Sequence, residues 1–136
     1  GLRETKWNGR LTIIHRDPLF IVDGAHNPAA ADMLEDSVRK YFKGRNMYFI
    51  MGVFRDKDYS YIIRKLCPYA EQIVTIETPD NPRALPAQEL AAENIQDAVN
   101  KVFAMADRED VILSFGSLSF IGEITTIVKN REEKNL

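Results

Sequence analysis

The stretch Phe20-Ile21-Val22-Asp23-Gly24-Ala25-His26-Asn27-Pro28 decides the fold of this chain. Its first three residues form an apolar run of the kind that parallel sheets bury on both faces. Gly24 permits a sharp turn, and the final Asn-Pro pair is typical of a helix N-cap followed by the first helical residue. This order leaves backbone N–H groups at a helix N-terminus, where anions bind readily. Ligands bind at the carboxyl ends of strands in α/β sheets, so we expect a binding site that includes Asp23 and His26.

The rest of the chain alternates strands and helices. Strands are predicted at residues 11–15, 20–22, 47–53, 71–76 and 111–115, and helices at 28–42, 59–66, from 86, from 95 and at 118–128. The first two strands are expected to form an antiparallel hairpin through the turn Arg16-Asp17-Pro18. This alternation predicts an α/β fold: a Rossmann-like, mostly parallel sheet with an antiparallel N-terminal strand and helices on both faces. The polar loops all follow strands, so they should share one edge of the sheet.

The domain boundaries follow from composition. Residues 1–10 are predicted to be the end of an interdomain linker, residues 11–130 a single domain, and residues 131–136 a frayed tail. The whole charged segment from Lys129 onward is expected to fray. The chain starts in a polar stretch without methionine, which indicates a piece of something longer.

Charge and composition exclude several classes of protein. The chain has 136 residues and a net charge of −2, so it lacks the basic surface that nucleic acids or anionic membranes require. Cys67 is the single cysteine, which rules out an internal disulfide, and no Cys/His pattern indicates a metal site. No apolar stretch approaches the ~20 residues that cross a bilayer, and no signal peptide is evident. These features predict a cytoplasmic domain.

Several short motifs together resemble one family. They are Trp7-Asn8-Gly9-Arg10, Asp23-Gly24-Ala25-His26-Asn27-Pro28, Asp56-Lys57-Asp58, Pro82-Arg83-Ala84, and Gly116-Ser117-Leu118 followed by Gly122-Glu123. In order and spacing they resemble the carboxy-terminal domain of folylpolyglutamate synthase/dihydrofolate synthase, of the Mur ligase superfamily. The resemblance extends from Trp7 to Val128. Asn8 departs from it, since the family more often has proline there.

The resemblance implies an ATP-dependent ligase that adds L-glutamate to dihydropteroate or to the γ-carboxylate of a folate. ATP would phosphorylate the carboxylate, and the glutamate amine would then displace phosphate from the acyl phosphate. ATP and Mg²⁺ would bind mainly to the enzyme's own N-terminal ATPase domain, since no Gly-x-x-x-x-Gly-Lys-Ser/Thr loop occurs in these 136 residues. The resemblance thus implies a glutamate-binding domain that is inactive alone, within a monomeric enzyme. It does not choose between dihydrofolate synthase, folylpolyglutamate synthase and a bifunctional enzyme.

The resemblance also assigns roles to individual residues. Arg10 matches an arginine at the ATP site, where a guanidinium grips phosphate, and Asp23 matches an aspartate at the ribose. His26 and Ser117 match residues on the glutamate side, where an imidazole and a hydroxyl can hydrogen-bond the amino acid. Without the family, each has an ordinary structural interpretation, such as a turn residue or an N-cap. No catalytic residue and no metal ligand is assigned to this chain.

Two further residues and two alternatives stay open. Lys57 is a possible ligand residue or part of a solvated loop. Arg83 is a second possible ligand residue, because Asp80-Asn81-Pro82-Arg83 also marks the amino-acid loop of the peptidoglycan ligases. The first alternative is therefore a ligase of UDP-muramyl peptides, which usually carries tyrosine where this chain has Gly24. The second is a stand-alone Rossmann-like binding module.

Overall fold

The computed structural model describes residues 5–7, 11–25, 27–52, 59–76, 89–115 and 118–134. Within these ranges the strands are Thr5–Trp7 (β1), Leu11–His15 (β2), Leu19–Asp23 (β3), Met47–Met51 (β4), Ala70–Thr75 (β5), Glu89–Ala91 (β6) and Val111–Phe115 (β7). The helices are Pro28–Tyr41 (α1), Tyr59–Leu66 (α2), Ile95–Met105 (α3) and Leu118–Lys134 (α4), with a 3₁₀ turn at Cys67–Tyr69.

These strands form one sheet in the order β1-β2-β3-β7-β4-β5-β6. β2 pairs antiparallel with β1 and β3, whereas the pairs β3–β7, β7–β4, β4–β5 and β5–β6 are parallel. Parallel strands need crossover connections, and here α1 leads from β3 to β4, α2 from β4 to β5 and α3 from β6 to β7. The prediction of a mostly parallel α/β sheet with an antiparallel N-terminal strand is confirmed.

The helices cover both faces of the sheet, as predicted. Successive strand residues face opposite sides, so Ile112 and Leu113 of β7 belong to different apolar clusters. On the α1/α2 face the buried helical residues are Ala31, Leu34, Val38, Ile62, Ile63 and Leu66. On the α3/α4 face they are Ala98, Val99, Val102, Ile124 and Val128. The central parallel strands β3, β7 and β4 are therefore buried on both sides, which explains their mostly apolar sequences.

Helix α1 shows how local sequence sets the element boundaries. The Asn27 side chain caps its N-terminus, and Pro28 occupies the first turn, where a missing N–H costs nothing. Ala31, Leu34 and Val38 recur at helical spacing and are buried. Gly44 follows the helix with φ of 81°, a left-handed conformation that glycine adopts without strain. The predicted start and end of this helix are confirmed.

One predicted helix is wrong over its described part. The sequence predicts a short helix from Pro86, but residues 89–91 form strand β6, while residues 86–88 lie outside the described residues. Glu89 and Ala91 pair with Ile73 and Thr75 of β5. Pairing at the open edge of the sheet outweighs the helix propensity of this alanine- and glutamate-rich segment.

The predicted linker and tail also contain regular structure. Thr5–Trp7, which lies within the predicted linker of residues 1–10, pairs with β2 as an edge strand. α4 continues to Lys134, through the first residues of the charged segment that is predicted to fray. The guanidinium of Arg131 lies 4.5 Å from the centroid of the Phe103 ring and donates to Asn100 Oδ1 at 3.1 Å. These contacts hold the charged end of α4 against α3.

None of the helices in the described part of the chain combines the length and apolar character that a membrane span needs.

Candidate functional site

The carboxyl ends of five parallel strands form one continuous row. Asp23 of β3 is opposite Phe115 of β7, which is opposite Met51 of β4. Met51 is in turn opposite Thr75 of β5, and Thr75 is opposite Ala91 of β6. We call this row and the chain segments that leave it the carboxyl edge. Since ligands of α/β sheets bind outside the carboxyl ends of strands, the carboxyl edge is the candidate site.

Asp23 is the predicted site residue that the structure describes. It is 4% exposed, and its Oδ1 accepts a hydrogen bond from the backbone N–H of Ala25 at 2.8 Å. A buried carboxylate needs such donors to offset the loss of water. The bond closes the turn after β3 and fixes the carboxylate at the end of the strand. Asp23 is thus both the turn-forming residue of the ordinary interpretation and a rigid acceptor at the carboxyl edge.

The N-terminus of α1 is less available to an anion than its sequence indicates. Asn27 Oδ1 accepts the N–H of Ala30 at 2.9 Å, and the Asn27 carbonyl accepts the N–H of Ala31 at 2.9 Å. Pro28 has no N–H to offer. The N–H groups of Ala30 and Ala31 are therefore bonded within the protein and are not available to a ligand. A ligand at this end of the sheet must then be bound mainly by side chains.

The other predicted site residues lie outside the described residues. They are Arg10, His26, Lys57, Arg83 and Ser117. Their roles therefore stay predictions. Two of them adjoin described elements in the sequence, since Ser117 immediately precedes α4 and His26 lies between Ala25 and Asn27.

A pair of polar side chains at the carboxyl edge was not found by sequence reasoning. The buried hydroxyl of Thr75 donates to a carboxylate oxygen of Glu89. The Thr75 carbonyl also accepts the N–H of Ala92 at 2.7 Å. Fourteen residues separate the side-chain pair, and only the β5–β6 pairing brings them together. No local pattern pointed to it, because the segment around Glu89 reads as a helix.

Helix α3 also begins at the carboxyl edge, and its start is tightly capped. Asn94 Oδ1 accepts the N–H of Asp97 at 2.8 Å, and Asp97 Oδ2 accepts the N–H of Glu93 at 3.0 Å. Lys101 donates to Asp97 Oδ2 at 2.7 Å. The Lys101 bond, followed by that from Glu93, lowers the pKa of Asp97 below its usual range. These bonds occupy Asp97 in the capping of α3, so it is not a candidate for ligand binding.

Two residues of potentially reactive types, His15 and Cys67, have contacts within the protein that explain their presence. His15 donates a hydrogen bond from Nδ1 to the Pro18 carbonyl at 2.9 Å, and its ring packs edge-on against Phe103 at 5.1 Å between ring centroids. As the carbonyl can only accept, Nδ1 carries the proton. Cys67 is 3% exposed, and burial raises its pKa to about 12, so the thiol is inert at neutral pH. These contacts favour the structural interpretation of both residues.

Within the described ranges, no group of three or more His, Cys, Asp or Glu side chains could hold a metal ion. Two described acidic residues, Asp23 and Glu89, are each engaged by a protein donor.

Comparison with known proteins identifies the family. Residues 9–118 match the family described as Mur ligase, glutamate ligase domain. That match covers most of the chain, including β2 to β7 and the residues between them. The chain therefore belongs to the Mur ligase family and corresponds to its glutamate ligase domain.

Individual relatives agree with this assignment. A dihydrofolate synthase/folylpolyglutamate synthase of Bacillus subtilis is 27% identical over 139 residues, covering 95% of this chain and 32% of the relative. One of the same name from Mycobacterium tuberculosis is 30% identical over 113 residues, covering 73% of this chain and 23% of the relative. The chain thus spans about a third or less of the relatives it matches.

Solved structures share the fold. The E. coli FolC structure in complex with DHPP and ADP aligns with a TM-score of 0.77 and 22% identity, covering 88% of this chain and 31% of that one. A Mycobacterium tuberculosis folylpolyglutamate synthase complexed with ADP and AMPPCP aligns with a TM-score of 0.73 and 26% identity, covering 90% of this chain and 32% of that one. The fold predicted from the sequence is that of these ligases.

Proposed function

We propose that this domain supplies the amino-acid side of an ATP-dependent ligase that joins L-glutamate to dihydropteroate or to the γ-carboxylate of a folate. A carboxylate oxygen of the acceptor takes the γ-phosphoryl group of ATP and ADP leaves. The glutamate amine then attacks the acyl carbon, an amide forms, and phosphate departs as the amine loses its proton. The domain binds and orients the reactants and does not react covalently itself.

The observation that carries the proposal is the position of Asp23 within a Mur ligase glutamate ligase domain. Its carboxylate is held by Ala25 at the end of β3, at the carboxyl edge, in a chain whose family match runs from residue 9 to 118. The relatives that contain this domain are named for folate–glutamate ligation. The Gly24 that follows Asp23 favours the folate branch over the muramyl-peptide branch.

The proposed binding roles divide along the carboxyl edge. Arg10 and Asp23 contact ATP, the arginine at phosphate and the aspartate at the ribose hydroxyls. His26 and Ser117 bind glutamate. Lys57 and Arg83 are possible further contacts, and their roles are proposed on the family resemblance alone.

ATP and Mg²⁺ are proposed to bind mainly to a separate ATPase domain of the same enzyme. The solved relatives include complexes with ADP and with AMPPNP and Mn. Among the described residues of this domain, no group of three or more His, Cys, Asp or Glu side chains could hold a metal ion, and no step is assigned here to the metal. We also propose that the enzyme is monomeric and cytoplasmic.

The test compares the isolated domain with the ligase that contains it. By calorimetric titration, the isolated domain should bind ATP and glutamate only at millimolar concentrations or above, since half of each site is missing. Micromolar affinity for either would instead favour a stand-alone binding module. The complete ligase should release ADP only with glutamate and a pteroate or folate. Turnover with a UDP-muramyl peptide in their place would establish the alternative ligase.

Variants of the complete ligase test the glutamate side. His26→Ala and Ser117→Ala should each raise the KM for glutamate about tenfold, as expected when one hydrogen bond to a charged substrate is lost. The KM for ATP should change less than twofold. Unchanged glutamate kinetics in both variants would contradict these two assignments.

A further inference from the structure

A cavity of about 300 Å³ opens at the end of the sheet opposite the carboxyl edge, between the end of α1 and the start of β4. Its apolar lining consists of Val38, Phe42, Met47 and Tyr69. Met47 begins β4 and Met51 ends it, so the rise of ~3.3 Å per residue separates this cavity from the candidate site by roughly 13 Å. Small-molecule sites have volumes from about 300 Å³ upward, so this cavity is large enough for a small ligand.

The rim of this cavity is basic. Arg39, Lys43 and Arg45 line it and are exposed, and the described residues that line it include no acidic side chain. Arg45 donates to the Glu109 carbonyl from Nε at 3.1 Å and from Nη2 at 2.6 Å. Because a carbonyl is uncharged, these bonds fix the guanidinium without neutralising its charge. We call the cavity with these four apolar and three basic side chains the basic cavity.

Two acidic side chains contact residues of the basic cavity, and both leave most of its charge in place. Asp36 lies 3.5 Å from Arg39, but both side chains are largely exposed, so this ion pair is weak. Glu35 accepts a hydrogen bond from the Tyr69 hydroxyl at 3.0 Å, and its other carboxylate oxygen lies 3.5 Å from Lys65 Nζ. The charge of Glu35 is therefore balanced by Lys65, which lies outside the basic cavity.

The end of α1 does not by itself account for these basic residues. Arg39 lies in the last turn, where a cation complements the helix dipole, but Lys43 and Arg45 follow the helix. The carbonyls of Val38 and Phe42 already accept backbone N–H groups, at 3.0 and 3.1 Å. None of the described ion pairs includes Lys43 or Arg45. The dipole offsets about half a charge, so the remaining positive charge suits a singly charged anion better than a phosphate ester of charge about −2.

We propose that the basic cavity binds a small aromatic carboxylate. The ring of the ligand packs against Met47 and Tyr69, since a thioether and an aromatic ring both make favourable contacts with an aromatic face. The carboxylate lies between Lys43 and Arg45 at the rim. Complementary charge selects the anion and the cavity volume limits its size. This inference goes beyond the proposed function, because the basic cavity lies apart from the carboxyl edge.

The experiment titrates 1-naphthoate into the complete ligase with its methionine methyl groups labelled with ¹³C. Met47 lines the basic cavity, and the volume-conserving change Met47→Leu identifies its signal. This signal should shift and saturate with a dissociation constant on the order of 1 mM, as expected for a ligand of ~13 non-hydrogen atoms. 1-Naphthamide, which has the same shape and no charge, should bind about tenfold more weakly. A Met47 signal that does not move, or equal affinity for the two compounds, would overturn the proposal.

Two exposed lysines provide a matched pair of charge reversals. Lys43 lines the basic cavity, whereas the Lys40 ammonium lies 5.7 Å from the centroid of the Tyr41 ring. Lys43→Glu should weaken 1-naphthoate binding about tenfold, and Lys40→Glu should leave it within twofold.

The methionine spectrum without ligand checks that both variants are folded. Equal weakening by the two substitutions would overturn the proposal, because it would mean that only the net charge of the protein matters. The titration requires no turnover, so its result is independent of the proposed function, and neither variant should change the KM for ATP or glutamate.

Discussion

A buried aspartate that accepts a hydrogen bond from a nearby backbone N–H lies at each end of the parallel strands, yet only one of the two marks the candidate site. At the carboxyl edge, Asp23 is 4% exposed and accepts the N–H of Ala25 at 2.8 Å. At the opposite edge, where the parallel strands begin, Asp110 is 7% exposed and accepts the N–H of Asp107 at 2.8 Å. Burial and hydrogen bonding are therefore not what distinguishes the two residues.

The surroundings of Asp110 show what a structural aspartate looks like. Its own N–H donates to the Asp107 carbonyl at 3.0 Å, so the turn is closed by a reciprocal pair of bonds. Arg45 donates twice to the Glu109 carbonyl, at 3.1 and 2.6 Å, and the Asp110 carbonyl accepts the N–H of Leu19 at 3.3 Å. The polar groups of this edge are used to hold loops to each other.

Asp23 differs from Asp110 in the chain segments that lie next to it in the fold. It lies in one row with the ends of four other strands, and the segments that follow these strands in the sequence contain the proposed ligand residues His26, Lys57, Arg83 and Ser117. A parallel sheet collects these segments at a single edge, whatever their separation in sequence. The position of an aspartate in the topology is thus more informative about function than its burial.

The largest expected effect is on ATP binding through Asp23. Asp23→Ala in the complete ligase should raise the KM for ATP about tenfold to a hundredfold, because a hydrogen bond to a charged group contributes roughly 1.5–3 kcal/mol. The KM for glutamate should change less than threefold. Steady-state kinetics with each substrate varied in turn measure both values.

Asp23→Asn is the control for the turn. Its amide oxygen can still accept the N–H of Ala25, so the free energy of unfolding should stay close to that of the wild type while ATP binding weakens. If Asp23→Asn lost stability but kept its KM for ATP, Asp23 would be a structural residue like Asp110. An effect confined to glutamate would reverse its assigned role.

At the end of the sheet where the parallel strands begin, we expect replacement of Asp110 to change stability alone. Asp110→Ala removes the acceptor of the Asp107 N–H and should lower the free energy of unfolding by about 1–3 kcal/mol, as when a buried donor loses its partner. Denaturant titration of the domain measures this. The KM values of the complete ligase for ATP and glutamate should be unchanged, whereas a changed KM would remove the distinction between the edges.

The location of the candidate site can be predicted from the sequence, whereas the side-chain contacts within that site cannot. Asp23 could be singled out because a buried strand, a glycine and a helix N-cap follow one another within nine residues, and all three are local signals. Thr75 and Glu89 could not be paired, because their contact depends on a parallel strand that a helix-prone segment forms only by tertiary pairing.

Regular structure at the two ends of the chain depends on partners that local sequence does not show. Charge composition does not reveal that Arg131, near the end of α4, contacts Phe103 and Asn100. Thr5–Trp7 is too short for a periodic pattern and forms a strand by pairing with β2. Turns and helix caps can be predicted from neighbouring residues in the sequence, whereas contacts between residues far apart along the chain cannot.

The smallest expected effect is on the pH dependence of stability and concerns Cys67, whose thiol is buried in the core. Its Sγ lies 3.9 Å from Met51 Sδ, and burial raises its pKa to about 12, against about 8.5 in an unfolded chain. Below pH 8 the thiol is protonated in both states, so its titration contributes nothing to stability. Between about pH 8.5 and 12 the unfolded state binds fewer protons than the folded state, and stability must fall as pH rises.

A thiol reagent at pH 8 should therefore leave Cys67 unmodified in the folded domain and label it after denaturation. Across pH 8 to 10, Cys67→Ala should lose less free energy of unfolding than the wild type, since it lacks the thiol that ionises on unfolding. Rapid labelling of the native domain would mean that the α2 end of the core opens readily. The thiol would then have to be considered together with the groups at the carboxyl edge, because Met51 belongs to that row.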